Sequence, residues 1–346
     1  QRPTPWGLSA AMPFGDLMRI NPFETLWQAT GRYFRDERLR QLFGRYATYC
    51  GSSPFKAPAT LMLVADVEAE GVWRLPGGMA DLARALHDTA TSLGVRFLFG
   101  TTATRIEATR DGVTAVLDDR DVRHACDAVV VNADASALGS GLFGEAVRPA
   151  TRVLAARNRS LSAITWAGPI PHDGVPLEHH TVFFSDNYQS EFAALSSGPA
   201  ADPTIYICDQ GEGRKLVLAN APATGAAAPA SFENTMLHCL DTHGLRLDLS
   251  SGEILRRSPA EFAALYPATH GALYGRASHG WMSTFLRPKA RTHLPNLYLA
   301  GGSVHPGPGV PMATLSGLRA AEALLHDRAS TRRSRKTVIA GGTSMP

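Results

Sequence analysis

One stretch constrains the fold of this chain more than any other. The apolar run Leu297-Tyr298-Leu299-Ala300 ends in Gly301-Gly302 and opens into a loop stiffened by Pro306, Pro308 and Pro311. Such a run reads as a short strand, and paired glycines let the backbone pass close to a ligand or a neighbouring element. Residues 312–326 then read as a helix, in which Ala313, Ser316, Gly317, Ala320 and Ala321 are small enough for tight packing on a sheet. Pro311 suits a first helical position, where its missing N–H costs nothing. Strand, glycine loop and helix start together offer free backbone N–H groups and the positive end of a helix dipole to an electron-rich group.

What precedes this stretch alternates between helical and extended periods. Asn21-Pro22 reads as a helix start for Phe23, Leu26, Trp27 and Thr30, and Asp36 as a cap for an apolar stripe of Leu39, Leu42, Phe43, Tyr46 and Tyr49. Arg35, Arg38, Arg40 and Arg45 take its other faces. The segment is either a core helix with a solvated basic side or a helix at a membrane surface or tunnel mouth. Gly51-Ser52-Ser53-Pro54 breaks it. Pro76-Gly77-Gly78 leads into a helix with Met79, Leu82, Ala83, Leu86, Ala90 and Leu93 on one face, stopped by Gly94. Strands are expected at 95–99, 102–107 and 113–117, with Asp111-Gly112 as a hairpin turn. The apolar segment 127–131 reads as a strand buried in a parallel sheet. This is the rhythm of an α/β domain carrying a β-meander. Residues 151–285 switch to strands at 161–166, 181–184, 204–208 and 215–220, with a helix at 231–243, the pattern of an antiparallel sheet.

Composition removes several function classes. At 346 residues and 44% apolar, the chain can bury a real core. Net charge is only +3, and no basic stripe is interleaved with aromatics, so nucleic acid is not an expected partner. Four scattered cysteines without a CxxC, and twelve histidines without HExxH, carry no disulfide or metal signature and fit a reducing compartment. No apolar run approaches the roughly 20 residues of a bilayer span. Gly139-Ser140-Gly141-Leu142-Phe143-Gly144 is a literal GxGxxG. It sits well past its strand and shortly before Pro149, so it reads as a surface loop and not as a dinucleotide cradle.

On shape alone the 297–311 loop fits the pyrimidine edge of a flavin, a phosphate or a structural turn. Asn296-Leu297-Tyr298-Leu299-Ala300-Gly301-Gly302, followed by His305-Pro306-Gly307-Pro308-Gly309-Val310-Pro311, resembles the C-terminal flavin signature of the bacterial phytoene-desaturase-type carotenoid desaturases. Ser53-Pro54-Phe55-Lys56-Ala57-Pro58-Ala59-Thr60, Gly71-Val72-Trp73 with Gly77-Gly78-Met79, and Asn132-Ala133-Asp134 resemble other segments of that family. The likeness covers most of residues 20–328. Arg35-Asp36, Leu39-Arg40-Gln41-Leu42-Phe43-Gly44-Arg45-Tyr46, Ala272-Leu273-Tyr274-Gly275-Arg276-Ala277-Ser278-His279-Gly280-Trp281 and Met312 are similar to its hydroxycarotenoid 3,4-desaturase (methoxyneurosporene dehydrogenase) branch. Ser303 and Val304 depart from the glycine and small residue usual there.

The resemblance implies an α/β fold. Its parts are an FAD/NAD(P)-binding Rossmann-like domain, expected here without its N-terminal βαβ, and an α+β substrate domain with an antiparallel sheet and helices. The implied divisions are 1–70, helical and facing substrate or membrane; 71–136, an FAD-domain segment; 137–288, the substrate domain; 289–328, the C-terminal FAD-domain segment; and 329–346, a flexible tail containing Arg332, Arg333, Arg335 and Lys336. The cofactor is FAD, touched by Ala103, Asn132, Ala133, Asp134, Gly301, Gly302, His305, Gly307, Gly309, Val310, Pro311 and Met312. Trp27, Tyr46, Tyr274, Trp281 and Phe285 are candidates for lining a polyene tunnel, each equally readable as a core aromatic. The implied activity removes two hydrogens from a linear hydroxylated or methoxylated carotenoid such as hydroxyneurosporene, with hydride passing to flavin N5. Alternatives are a phytoene desaturase, a carotenoid isomerase, or a non-catalytic fragment that binds a lipophilic ligand without FAD. No catalytic base stands out, because no paired carboxylates are visible. The remaining expectations are a membrane surface as partner, oxygen or a quinone as electron acceptor, and a cytoplasmic, peripheral position on the inner face of a bacterial membrane.

Overall fold

The computed structural model describes residues 21 and 23–337, of which 331–337 by backbone alone. Pro22 and the last part of the expected tail lie outside them. Helix α1 (Leu26–Tyr33) starts where Thr25 and Gln28 form a capping box, not at Asn21-Pro22. Asp36 caps α2 (Glu37–Gly44) by accepting from the Arg38 N–H at 2.9 Å. A 3₁₀ turn, Arg45–Cys50, ends at Gly51 in the left-handed region, φ +58°. Then come α3 (Leu63–Ala69) and α4 (Met79–Ser92). Four strands follow: β1 (Ala103–Thr109), β2 (Gly112–Asp118), β3 (Arg123–Ala125) and β4 (Val129–Val131), the last running into α5 (Ala135–Gly139). Next are β5 (Ser162–Pro169), β6 (His172–Gly174), β7 (His180–Phe183), α6 (Tyr188–Ala194), β8 (Ile205–Gly211) and β9 (Arg214–Ala221). The chain closes with α7 (Phe232–Thr242), β10 (Leu245–Leu247), β11 (Leu255–Arg257), α8 (Pro259–Leu265), β12 (Leu297–Leu299) and α9 (Val310–Thr337).

The elements divide into two units. The first comprises the segments up to Thr101, Ala156–Leu273 and Ala277–Ser283. Its centre is the expected antiparallel sheet, in the order β11-β5-β9-β8-β7. Alternation along β9 turns Val217, Ala219 and Ala221 inward, where Ile205 and Ile207 of β8, Ile164 and Trp166 of β5, and Met236 and Leu240 of α7 complete the core. Each large aliphatic buried this way contributes roughly 1.5–3 kcal/mol. The Trp166 indole donates to Glu233 at 2.6 Å, so burial leaves its N–H satisfied.

Three expectations fail in this unit. The apolar stripe of α2 does not face a core: Leu39 and Leu42 are 41% and 49% exposed. Gln41 and Gly44 are buried in their place, with the Gln41 amide donating to the Ser185 carbonyl at 2.9 Å. The apolar face of α4 is likewise open, and none of its residues is buried. Residues 95–99 form no strand, because among the described residues no strand pairs with them. Residues 71–101 cluster with this unit.

The second unit comprises Thr102–Ala155, Tyr274–Arg276 and the chain from Thr284 onward. β1, β2 and β3 form the meander, with Gly112 already inside β2 at φ +129°. A Cβ there would lie 2.8 Å from the Pro295 carbonyl. β4 and β12 pair in parallel, Leu297 opposite Val129 and Leu299 opposite Val131. One cluster joins Val131, Leu297 and Leu299 to Leu138 of α5, and another joins Tyr298 and Ala300 to Ala320 and Ala323 of α9. In this two-stranded sheet β4 is an edge, which leaves Val130 45% exposed where a fully buried strand was expected. α9 reaches Thr337, so the expected flexible tail is helical through that point.

Candidate cofactor site

The site is built where β4 and β12 end together. The Ala300 N–H donates to the Val131 carbonyl at 3.0 Å, so Asn132-Ala133-Asp134 and Gly301-Gly302 leave the pair side by side. This is the carboxyl end of a parallel pair, where open α/β sheets take their ligands. Gly301 has φ +109°, and a Cβ on it would collide with the Asn132 side chain. Glycine is required there twice over, by conformation and by space. Asp134 turns the chain into α5 by accepting from the Ser136 N–H at 2.8 Å.

The loop is fastened to its surroundings at several points. The Gly301 N–H donates to the hydroxyl of the fully buried Ser316 at 3.1 Å, tying the strand end to α9. Val304 is fully buried in the core of this unit. Its departure from a small residue therefore anchors the loop. Ser303 lies against Gly275, φ +66°, where a Cβ would come within 2.8 Å of the serine Cβ. The His305 N–H donates to the Pro288 carbonyl at 2.8 Å, and His305-Pro306 is cis. α9 begins at Val310, making Pro311 its second residue and not its first. An α-helix leaves its first N–H groups without internal partners, here those of the half-exposed Val310 and Met312.

Arg287 holds the arrangement from beneath. It is 4% exposed. Its guanidinium donates to the carbonyls of Tyr274 at 3.0 Å, Gly302 at 3.2 Å and Arg276 at 2.6 Å. Burial pushes the His305 imidazole below its ordinary range. The Thr284 backbone works against that, and the positive charges of Arg319, Arg287 and Lys289 add to it. The His305 Nδ1 is shut off from solvent with no hydrogen-bond partner among the described residues.

These features fit one end of a flavin. Two glycines clear the approach, a long helix starts at the loop, and Arg319, Arg287 and Lys289 put positive charge near His305, a setting suited to a ring that gains negative charge on reduction. They do not extend to a dinucleotide phosphate cradle. Gly139 closes α5 and so does not open a helix, and a Cβ at Gly144 would meet the Arg105 side chain at 3.3 Å.

The other residues marked in the sequence are placed differently. Ala103 starts β1, exposed and opposite Asp118 in the meander. Trp27, Tyr46 and Trp281 belong to the first unit, Tyr274 and Phe285 to the second. The Trp27 ring lies 4.8 Å from Phe55 and 6.0 Å from Tyr188, with the Arg40 guanidinium 4.4 Å from its centroid. The Tyr46 hydroxyl donates to Glu68 at 2.8 Å, and Trp281 meets Phe23 edge-on at 5.4 Å. Sequence reasoning missed Arg287, Ser316 and Gly275. An arginine before a proline carries no spacing signal, and the three carbonyls it serves are set by tertiary structure.

Comparison with known proteins places this geometry. The family model described as flavin containing amine oxidoreductase matches residues 16–171 and 266–325. The hydroxyneurosporene desaturase of Rubrivivax gelatinosus is 46% identical over 95% of this chain, which spans 66% of that protein's length. The hydroxyneurosporene desaturase of Rhodobacter capsulatus is 38% identical over 95% of this chain and 70% of its own. Among solved structures, an oxidoreductase from Methanosarcina mazei superposes with a TM-score of 0.55 at 15% identity, over 92% of this chain and 75% of that one. The last likeness is one of fold.

Proposed function

Because this chain belongs to the flavin-containing amine oxidoreductase family, we propose that it forms part of an FAD-dependent desaturase acting on a linear hydroxylated or methoxylated carotenoid, of the kind named for its relatives. The observation that carries this reading is the common end of β4 and β12, with Gly301-Gly302 facing Asn132 and α9 starting at Val310. Bound FAD would supply the hydride acceptor for the first carbon of the substrate, the adjacent carbon giving up a proton as the C=C bond forms. The protein's share is to hold and orient. Gly301, Gly302 and the first turn of α9 take the isoalloxazine end. Arg287 fixes the Gly302 carbonyl against the 274–276 backbone, so the loop cannot drift from the strand ends. Conjugation stabilises the developing allylic cation, so the site needs water exclusion more than a strong base.

The substrate is insoluble in water, which supports docking at the cytoplasmic surface of a membrane. The exposed Leu39, Leu42, Leu63, Val67 and Trp73 of the first unit supply apolar side chains for it. No described helix is long and apolar enough to cross a membrane. Oxygen or a quinone in the same bilayer is the proposed electron acceptor. The test is a flavin titration followed by incubation with hydroxyneurosporene in vesicles, under air and with added quinone. A red shift of the carotenoid spectrum is the expected result. No shift with this substrate, but one with phytoene, would sink the substrate assignment, and failure to bind flavin at all would sink the enzyme reading. Flotation with anionic vesicles checks the membrane proposal.

A further inference from the structure

The five-stranded sheet carries a cluster that the spacing of histidines and cysteines along the sequence did not reveal. β7 is the outermost strand, and its antiparallel register sets His180 opposite Cys208 of β8. Residues paired that way present their side chains on one face. His179 comes just before β7, and in a regular strand it would point the other way. Its Nδ1 instead bonds the Asp209 carbonyl at 2.5 Å, while the Asp209 N–H donates to the His179 carbonyl at 3.0 Å. This reciprocal pair turns the ring back, and the two imidazole centroids lie 4.3 Å apart. One nitrogen of each ring and the Cys208 sulfur all fall within 4.8 Å of one another.

The surrounding hydrogen bonds suit a ligand set. A His179 Nδ1–H donating to a carbonyl leaves Nε2 with the lone pair, the second-shell pattern that orients metal-binding histidines. The Gln210 amide donates to the Cys208 Sγ at 2.8 Å and so fixes the sulfur's position. Cys208 is buried and His180 exposed, so the cluster has a closed side and an open one. Two positive groups lie nearby: Arg45, 4.9 Å from the Tyr206 ring, and Lys215, paired with Asp209 at 3.5 Å.

We propose that His179, His180 and Cys208 bind a thiophilic divalent cation of the zinc class, with solvent in the fourth position. Two imidazoles and a sulfur select such an ion over magnesium or calcium, which take oxygen ligands. Binding forms one sulfur–metal and two nitrogen–metal bonds and releases the thiol proton to solvent. Bond lengths of about 2.0–2.3 Å put tetrahedral ligand atoms roughly 3.3–3.8 Å apart, so closure asks about 1 Å of side-chain rotation. The ion would clip the edge strand β7 to β8.

Cobalt titration of the chelator-stripped chain tests this. One Co²⁺ per chain is expected, with a thiolate-to-cobalt charge-transfer band that Zn²⁺ displaces stoichiometrically. Cys208→Ser is expected to abolish the band. His180→Gln, at an exposed position that leaves the fold intact, is expected to weaken binding at least tenfold. His243→Gln, whose ring meets Phe183 outside the cluster, is expected to change nothing. Circular dichroism checks folding, and if Cys208→Ser does not fold, His180→Gln decides alone. A wild-type chain without the band, a band that survives Cys208→Ser, or unchanged affinity in His180→Gln overturns the site.

Discussion

At the scale of single residues, the buried arginine and histidine matter most. Replacing Arg287 by Met keeps the bulk but strands the carbonyls of Tyr274, Gly302 and Arg276. Bonds to a charged donor are worth about 1.5–3 kcal/mol each, so a loss of about 3 kcal/mol or more in urea unfolding is expected, with weaker flavin retention. His279 accepts from the Ser53 N–H at 3.2 Å through Nε2, and burial, with Lys56 nearby, pulls it from the ordinary 6.5 to about 4. Its folded value lies below the unfolded one, so its contribution is complete above pH 6.5 and drains away as pH falls toward 4. His279→Asn should remove this limb, flattening the stability profile by about 2–3 kcal/mol across that window. The glycine loop was legible in the sequence because glycines and prolines act locally. Arg287 was not, because its partners come from three separate places in the chain.

Among elements, α9 is fixed beside β12 at two points. Near its start Ser316 takes the Gly301 N–H. Further along, Arg291 donates to Asp327 at 2.9 Å, and the Tyr298 hydroxyl donates to the same carboxylate at 2.9 Å. The Arg291 hydrogen bond, ahead of that from Tyr298, holds Asp327 at about 2, below its ordinary 3.8. That stabilisation is present above pH 3.8 and lost as pH falls toward 2, so Asp327→Asn should blunt the acid-induced loss of stability in denaturant titrations below pH 4. Strands β5, β7, β8 and β9 were legible within a residue or three because each alternates and each finds a neighbour. The apolar segment 95–99 has the same local signal and no neighbour among the described residues, so it stays irregular. Its amides from 96 to 99 should exchange with deuterium far faster than those of β8 and β9. The stripe of α2 misled for a related reason: periodicity marks an apolar face without saying what covers it.

Across the whole molecule, the expected pairing of an α/β part with an antiparallel sheet holds. Each unit is assembled from three stretches of chain, and the nucleotide-type unit borrows Tyr274–Arg276 from the middle of the other unit's sequence. Both units therefore form from segments far apart in the chain. This arrangement bears on how the polypeptide is made. During synthesis β4 emerges long before β12, its only strand partner among the described residues, and must wait for it. Parallel pairing at such separation is slow to form. A product ending before Thr284 should therefore keep the antiparallel sheet of the first unit but be digested rapidly around β4 in limited proteolysis, whereas the longer chain resists there. Residues 301–309 leave the ribosome after β4 and Arg287, and Ser316 of α9 later still, so the contacts that fix this loop can close only in that order.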